Sequence, residues 1–401
     1  MTKMKGSLHI PQGFSWFGKN IGIKDDTKDF GGILSDNICS AAAVFTKNTM
    51  PGAPVVIGKQ HIKDGELQAI IVNSKNANVA TDSAGEKDSL TICELSAQAC
   101  GIKADLILPS STGVIGKRLP MDVIKKGCES IAEEFGKTEQ HIHDFAMSIM
   151  TTDTREKIIS AKIGDTTILG IAKGAGMIEP NMATMLSYFM TDAEISSNQL
   201  QAMLTRVTNK SFNRISVDTD TSTSDTVVVL ANGKAGKVNE EHFEKIFTEL
   251  AIYLAKEIAR DGEGASKLIE LKVSGASTAE QALLTAKAVV NSPLVKTAIY
   301  GADPNWGRFV MAIGKVFNYT VEISDLTILF SDQSNEAKAG RLKITAKMLD
   351  SDSVPLDDIS ELLTNDKVFI ELALGNGKFE ETVWGCDLTE GYVDVNAHYT
   401  T

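Results

Sequence analysis

"GAGMIEPNMATMLSYFM", residues 174–190, is the stretch on which the reading of the fold turns. A turn containing glycine and proline runs into an apolar and aromatic segment, so "TMLSYFMT" (184–191) is expected as a buried strand entered from a loop. Thr184 stands at that entry, directly after Ala183. It is either an ordinary strand threonine, because β-branched residues fit a pleated surface whatever their function, or a nucleophile. Residue type alone favours the ordinary strand threonine.

Outward from this strand the chain alternates strand-like and helix-like segments, which gives an α/β class. "LQAIIVNS" reads as a buried strand and "EKDSLTICELSAQACGI" as a helix ended by Gly101. "DLILPSSTGVIG" starts as a strand and breaks into a loop, and "PMDVIKKGCESIAEEFG" is a helix opened by proline. "KIISAKIGDTTILGIAKGAG" holds two strands around a Gly164-Asp165 turn. After the opening stretch come a capped helix in "SSNQLQAMLTRVTNKSFN", a strand in "DTVVVLANG" and a long amphipathic helix in "NEEHFEKIFTELAIYLAKEIARDGEG". From about 275 the texture changes to the helices of "TAEQALLTAKAVVNSPLVKTAIYG" and "RFVMAIGKVF". The strands "TVEISDLTILFSD", "RLKITAKML" and "KVFIELALG" follow. The expected organisation is therefore a domain of residues 1–275 and a smaller α+β domain of 276–401.

The bulk properties narrow the function. A chain of 401 residues is long for one core. Its 52 acidic against 40 basic residues give a formal charge of -12, which repels phosphate backbones and argues against a nucleic-acid partner. No uninterrupted apolar run is long enough to span a bilayer, and "MTKMKGSLHIPQGFSW" lacks the apolar core of a signal peptide, so a cytoplasmic protein without membrane partners is expected. Cys39, Cys93, Cys100, Cys128 and Cys386 form no CxxC pair and read as reduced, mostly buried thiols. His141 and His143, two apart, suit a metal poorly.

Three short stretches could carry chemistry. Ser110-Ser111-Thr112-Gly113 follows a strand and could offer hydroxyl and backbone N–H groups to an oxyanion, although most such loops are only turns. Lys173 ends an apolar strand, where its cation could meet a substrate carboxylate or simply reach solvent. Glu263, between two glycines, could pair with an ammonium group or be a solvated turn acid. The tail "DVNAHYTT" is strand-like to Val395 and then polar. Phosphate-loop and GxSxG patterns are absent.

Taken in order, "IPQGFSWFGKNIGIK", "AAAVFTKN", "STGVIG", "MTTDT", "AKGAGMIEPNMATML", "ARDGEGA", "NSPLVKTAIYGADPNWGR" and "DLTEGYVDVNAHYTT" resemble the ornithine acetyltransferase family, also called the glutamate N-acetyltransferase or bifunctional arginine-biosynthesis acetyltransferase family. The resemblance covers essentially the whole chain. It implies a layered α-β-β-α sandwich with a smaller C-terminal α+β domain whose tail joins the active site. It further implies self-cleavage between Ala183 and Thr184, giving an α chain of 1–183 and a β chain of 184–401. Thr184 then becomes nucleophile and N-terminus together. The logic is chemical: a threonine hydroxyl needs a neighbouring base, and a free α-amine titrating at about pH 8 supplies one within the same residue.

By the same resemblance Thr112 and Gly113 form the oxyanion hole, and Thr152, Lys173, Thr184, Glu263, Asn396 and Thr401 bind substrate. Thr151 and Thr154 stay open as alternatives to Thr152. The implied reaction is ping-pong: Thr184 takes the acetyl group of N-acetylornithine and passes it to glutamate. No metal or organic cofactor is implied; acetyl-CoA is left open as a co-substrate, and the assembly implied is a heterotetramer of two α and two β chains. Lys75 stands where a glycine is expected in this family, and Asp82-Ser83 where a Gly-containing turn is usual, so the local loop geometry should differ. The competing readings are a self-cleaving aminopeptidase or amidase, in which water takes the acyl group, and an inert binding protein on the same scaffold.

Overall fold

The computed structural model describes residues 7–179, 185–331, 342–345 and 355–399. Two compact units divide the chain, Met1–Asn213 with Asp220–Ile258, and Arg214–Thr219 with Ala259–Thr401. The division therefore falls near 258, not at the expected 275. The reason is pairing: the strand Leu268–Ala276 has both its partners in the second unit.

The first unit contributes β1 (Phe14–Lys19), β2 (Phe30–Phe45), β3 (Glu66–Asn73), β4 (Ile107–Ser111), β5 (Lys157–Ile163), β6 (Thr166–Lys173) and β7 (Leu186–Glu194). After the two-residue β8 (Ile215–Ser216) of the second unit, β9 (Thr226–Lys237) returns to the first. These strands of the first unit form an eight-stranded sheet in the order β4-β3-β2-β9-β7-β6-β5, with β1 also on β2. The 16-residue β2 is the backbone of the arrangement. Its first part pairs with β1 and β3, its last six residues pair with β9, and its register on β3 shifts between Leu34 and Cys39. Such a shift bends a strand and lets one sheet fold over on itself.

Alternating side chains then build the layers. Ile70, Val72 and Leu108 from one half of the sheet share a core with Leu169, Ile171, Tyr188, Met190, Val228 and Leu230 from the other. On the outside of the first half, Ala69, Ile71 and Ile107 pack with Ile92, Cys93 and Ala97 of the helix Asp82–Cys100. On the outside of the other half, the Phe189 ring meets Phe247 of the helix Glu240–Arg260 at 4.7 Å. The result is the expected α-β-β-α sandwich.

The second unit holds β10 (Leu268–Ala276), β11 (Thr327–Ser331), β12 (Leu342–Thr345), β13 (Lys367–Ala373) and β14 (Phe379–Cys386), in the order β12-β11-β13-β10-β14-β8. Ile269, Leu271 and Val273 of β10 pack with Ala282, Ala286, Val289 and Val290, a helical stripe on Ala279–Val290. This is the expected α+β architecture. Some details differ from the sequence reading. The proline-led segment breaks into helices Met121–Cys128 and Ile131–Glu134, and among the described residues of "TVEISDLTILFSD" only Thr327–Ser331 is strand. The tail is not a strand but a helix, Glu390–Ala397, because the Thr389 hydroxyl caps it by accepting from the Gly391 N–H.

Candidate active site

Lys173 is the last residue of β6 and its side chain is buried. Its register partner on β7 is Leu186, two residues after Thr184. Ala183, Thr184 and Thr401 lie outside the described residues. Met185, which shares a peptide bond with Thr184, is held at both ends. Its N–H donates to Asp225 Oδ1 at 2.9 Å, and its carbonyl accepts from the Thr226 N–H at 3.1 Å. Complete burial drives the Asp225 carboxyl well above its ordinary 3.8, against the hydrogen bond from Met185 and the charge of Lys173. Burial thus favours the neutral form of this carboxyl. Among the described residues its Oδ2 closes no hydrogen bond, although the Ser222 and Thr46 hydroxyls also act on the carboxyl.

A turn built from "MTTDT" faces the same lysine. Lys173 Nζ donates to Thr151 Oγ1 at 3.4 Å, so within this run Thr151, not the half-buried Thr152 or the exposed Thr154, receives that bond. Asp153 organises the turn: Oδ2 accepts from the Thr151 N–H at 3.1 Å, and Oδ1 accepts from the Gly174 N–H at 2.6 Å and from Lys157 Nζ at 2.7 Å. Burial pushes the Asp153 carboxyl up, but Lys157, Lys173 and these donors outweigh it and hold the group below its ordinary value. Asp153 and Lys157 thus form a fully buried ion pair that ties the turn to the residue following Lys173.

Lys24 reaches the other side of that turn, donating to the carbonyl of Met150 at 2.7 Å and of Lys28 at 3.1 Å. The loop that carries it is fixed by buried Asp29, whose carboxylate accepts from the N–H groups of Ile21, Ile23 and Lys24 at 2.7 to 2.8 Å. Asp29 also accepts, through its carbonyl, from the Ser74 N–H at 2.8 Å, and Ser74 Oγ donates to the Ser148 carbonyl at 2.7 Å. Residues 24, 29, 74 and 148 to 153 are thereby one connected frame.

The next residue of that frame leads to the hydroxyl loop. Lys75 takes a left-handed φ of 81°, which fits the expectation of glycine at this position, and its carbonyl accepts from the Val114 N–H at 2.8 Å. Gly113 lies so close that a Cβ there would stand 2.1 Å from Lys75 O, and its φ is 130°, so glycine is required. The Thr112 N–H is already committed to Asn73 O at 3.1 Å. The donors this loop can offer are therefore the Thr112 hydroxyl and the Gly113 N–H. Ser111 Oγ donates to Asn73 Oδ1 at 2.6 Å and stiffens the loop from behind.

Across the sandwich interior, Ser110 and Tyr188 face each other. Burial pushes the Tyr188 phenol up and the neighbouring Ser110 hydroxyl offsets part of that rise, although the two hydroxyls close no hydrogen bond. Ser110 stands two residues before Thr112, and Tyr188 four after Thr184. The ends of β4 and β7 thus approach each other inside the first unit.

In the second unit, Asn396 Nδ2 donates to Glu263 Oε2 at 2.7 Å and to the Tyr392 carbonyl at 3.0 Å. The tail helix rests on the glycine turn: Thr389 Oγ1 donates to Gly264 O at 2.6 Å, and a Cβ on Gly264 would meet Tyr392 N at 2.3 Å. The two expected substrate residues of this unit are therefore brought together by direct contact. Among the described residues no group of histidines, cysteines and acids could hold a metal, and all five thiols are free. Sequence reading missed Asp225, Asp153 and Lys24 as parts of the site. Asp153 and Lys24 sit within the quoted blocks, yet residue type alone did not separate them from turn and surface charges.

The ArgJ family matches residues 15–401. "Arginine biosynthesis bifunctional protein ArgJ 2" of Clostridium acetobutylicum is 50% identical over 391 residues, 98% of each chain. The chain belongs to the ArgJ family. Membership makes it an enzyme, an acyltransferase. "Glutamate N-acetyltransferase Oat2" of Streptomyces clavuligerus is 42% identical over 395 residues, again 98% of each chain. Among solved structures, the arginine biosynthesis bifunctional protein argJ of Bacillus halodurans aligns with a TM-score of 0.40 and 37% identity, over 44% of this chain and 95% of that one. No helix among the described residues is long and apolar enough to cross a membrane.

Proposed function

We propose that this ArgJ-family enzyme moves an acetyl group from N2-acetyl-L-ornithine to L-glutamate through an acetyl ester on Thr184, giving ornithine and N-acetylglutamate for arginine biosynthesis in the cytoplasm. The observation that carries the reading is the register of β6 on β7, which pairs the buried cation Lys173 with Leu186, two residues from Thr184. A substrate carboxylate taken by Lys173 brings an acetylated α-amine close to the start of β7.

The precursor first cuts itself at Ala183–Thr184. The Thr184 hydroxyl adds to the Ala183 carbonyl, the peptide nitrogen leaves as the amine of Thr184, and water hydrolyses the resulting ester. The freed amine then accepts the hydroxyl proton when Thr184 attacks the acetyl carbonyl of N-acetylornithine. The tetrahedral oxyanion is met by the Thr112 hydroxyl and the Gly113 N–H; one such donor stabilises the transition state by about 3 kcal/mol. Ornithine leaves with a proton, and the glutamate amine captures the acetyl group. Asp225 holds the N–H of Met185, the residue after Thr184 in sequence. Glu263, bonded to Asn396, serves the substrate ammonium, with Thr152 and Thr401 completing the binding set.

The cycle has roles for side chains and backbone alone and draws on no metal or organic cofactor. Acetyl-CoA is a second donor in the bifunctional version of the reading, and the cut chains assemble as two α and two β. The test is acetyl transfer from N-acetylornithine to glutamate, followed by ornithine release, in the wild type and in Thr184→Ala. Transfer by the wild type and its loss in an uncut variant support the reading. Release of acetate without N-acetylglutamate would make the enzyme an amidase instead.

A further inference from the structure

The cations around the "MTTDT" turn outnumber what the proposed donor requires. N-acetylornithine carries one carboxylate, and Lys173 suffices for it. Yet Lys24 and Lys173 bond to consecutive residues of the turn, one to the Met150 carbonyl and the other to the Thr151 hydroxyl. The charges acting on the Lys24 ammonium are the carboxylates of Asp29 and Asp153 and the ammoniums of Lys173 and Lys75. Both carboxylates favour its charge, but neither closes a hydrogen bond with it. Asp29 is occupied by three backbone N–H groups, and Asp153 is paired with Lys157. Lys24 uses two N–H donors on carbonyls, and its third has no partner among the described residues. A Lys24 N–H left over in a half-buried frame is satisfied when an anion reaches it.

We propose that Lys24 and Lys173 together form a two-cation grip for a dicarboxylate acyl acceptor, Lys24 taking the carboxylate that distinguishes glutamate from ornithine. This rests on the acetyl transfer proposed above and names the feature that selects its acceptor. Donor and acceptor share one carboxylate and differ at the far end, an ammonium in one and a carboxylate in the other. A second ammonium beside Lys173 therefore favours the acceptor without adding anything for the donor. The charge-assisted hydrogen bond to Lys24 is lost when the far carboxylate is replaced by an amide.

The decisive experiment compares glutamate with glutamine as acceptor in the wild type and in Lys24→Gln, which removes the charge while keeping N–H donors for the Met150 and Lys28 carbonyls. The expected result is a fall of about tenfold or more in the ratio of the two kcat/KM values, expressed through KM for glutamate. If both acceptors lose equally and the ratio stays put, Lys24 only braces the turn and the proposal is overturned. A measurement on the wild type guards against a variant that fails to fold: glutarate should compete with glutamate about tenfold better than its monoamide. Equal inhibition by the two would also overturn the grip. Absence of any transfer from N-acetylornithine by the wild type would be a failure of the underlying reaction, visible before any variant is made.

Discussion

In the second unit, Lys267 donates to the carbonyls of Ile299, Tyr300 and Leu363 at 2.7, 3.1 and 2.7 Å, and Lys296 donates to those of Val217 and Cys386 at 2.9 and 2.5 Å. In the first unit, Lys24 and Lys173 share one turn and meet two carbonyls and a threonine hydroxyl. The chemistry of the side chain is the same and the surroundings differ. Tyr300 and Leu363 end their helices, where carbonyls lack intrahelical partners and the helix dipole favours a cation. A lysine saturated in this way is scaffold. A lysine set beside a second ammonium, as Lys24 is, with an N–H left over after its two carbonyls, is arranged for a ligand.

That contrast can be broken by exchanging charge for bulk. Lys173→Met should lower kcat/KM by about 10²- to 10³-fold, the usual cost of removing one partner of a desolvated charged contact, while the melting temperature hardly moves. A variant that unfolds and keeps normal activity per folded molecule would place Lys173 with the scaffold. Lys267→Met should do the reverse. Three carbonyls lose their donor, so denaturant titration should show a loss of about 3 kcal/mol, with activity per folded enzyme unchanged.

The smallest effect sharpens the comparison with pH. The Asp225 carboxyl is raised in the folded state, so its contribution to stability is fully present below the unfolded value near 3.8 and is lost as pH rises through the folded value. Asparagine cannot ionise and keeps the acceptor for the Met185 N–H. The melting temperature of Asp225→Asn relative to the wild type should therefore climb as pH is raised from 4 towards 8. A difference that does not change with pH would mean that the Asp225 carboxyl is not raised in the folded state.

Where local pattern and final pairing agree, the fold was legible. β3, β5, β6, β7, β9 and the helices Ser197–Lys210 and Glu240–Arg260 follow from alternation, helical stripes and a capping box at Ser196 and Gln199. β1, β2, β10 and β14 did not emerge from the pattern. β2 contains Gly31-Gly32, Ser35, Asp36, Asn37 and three alanines, and becomes a strand because β1, β3 and β9 all pair with it. The same limit applied to the site. Hydroxyl and glycine at 112 and 113 can be seen in a sequence, and the resemblance assigned them, but that the Thr112 N–H is already occupied is a property of pairing with Asn73. Nothing in its residue type sets Lys24 apart; its contacts with Met150 and the Asp29 loop do.

The most direct test of the central claim is the intact mass of the denatured protein after incubation with N-acetylornithine in the absence of glutamate. The account predicts two fragments matching a cut at Ala183–Thr184, with one acetyl group on the fragment that begins at Thr184. A single uncut and unmodified chain would contradict it, leaving Thr184 an ordinary residue at the start of a strand.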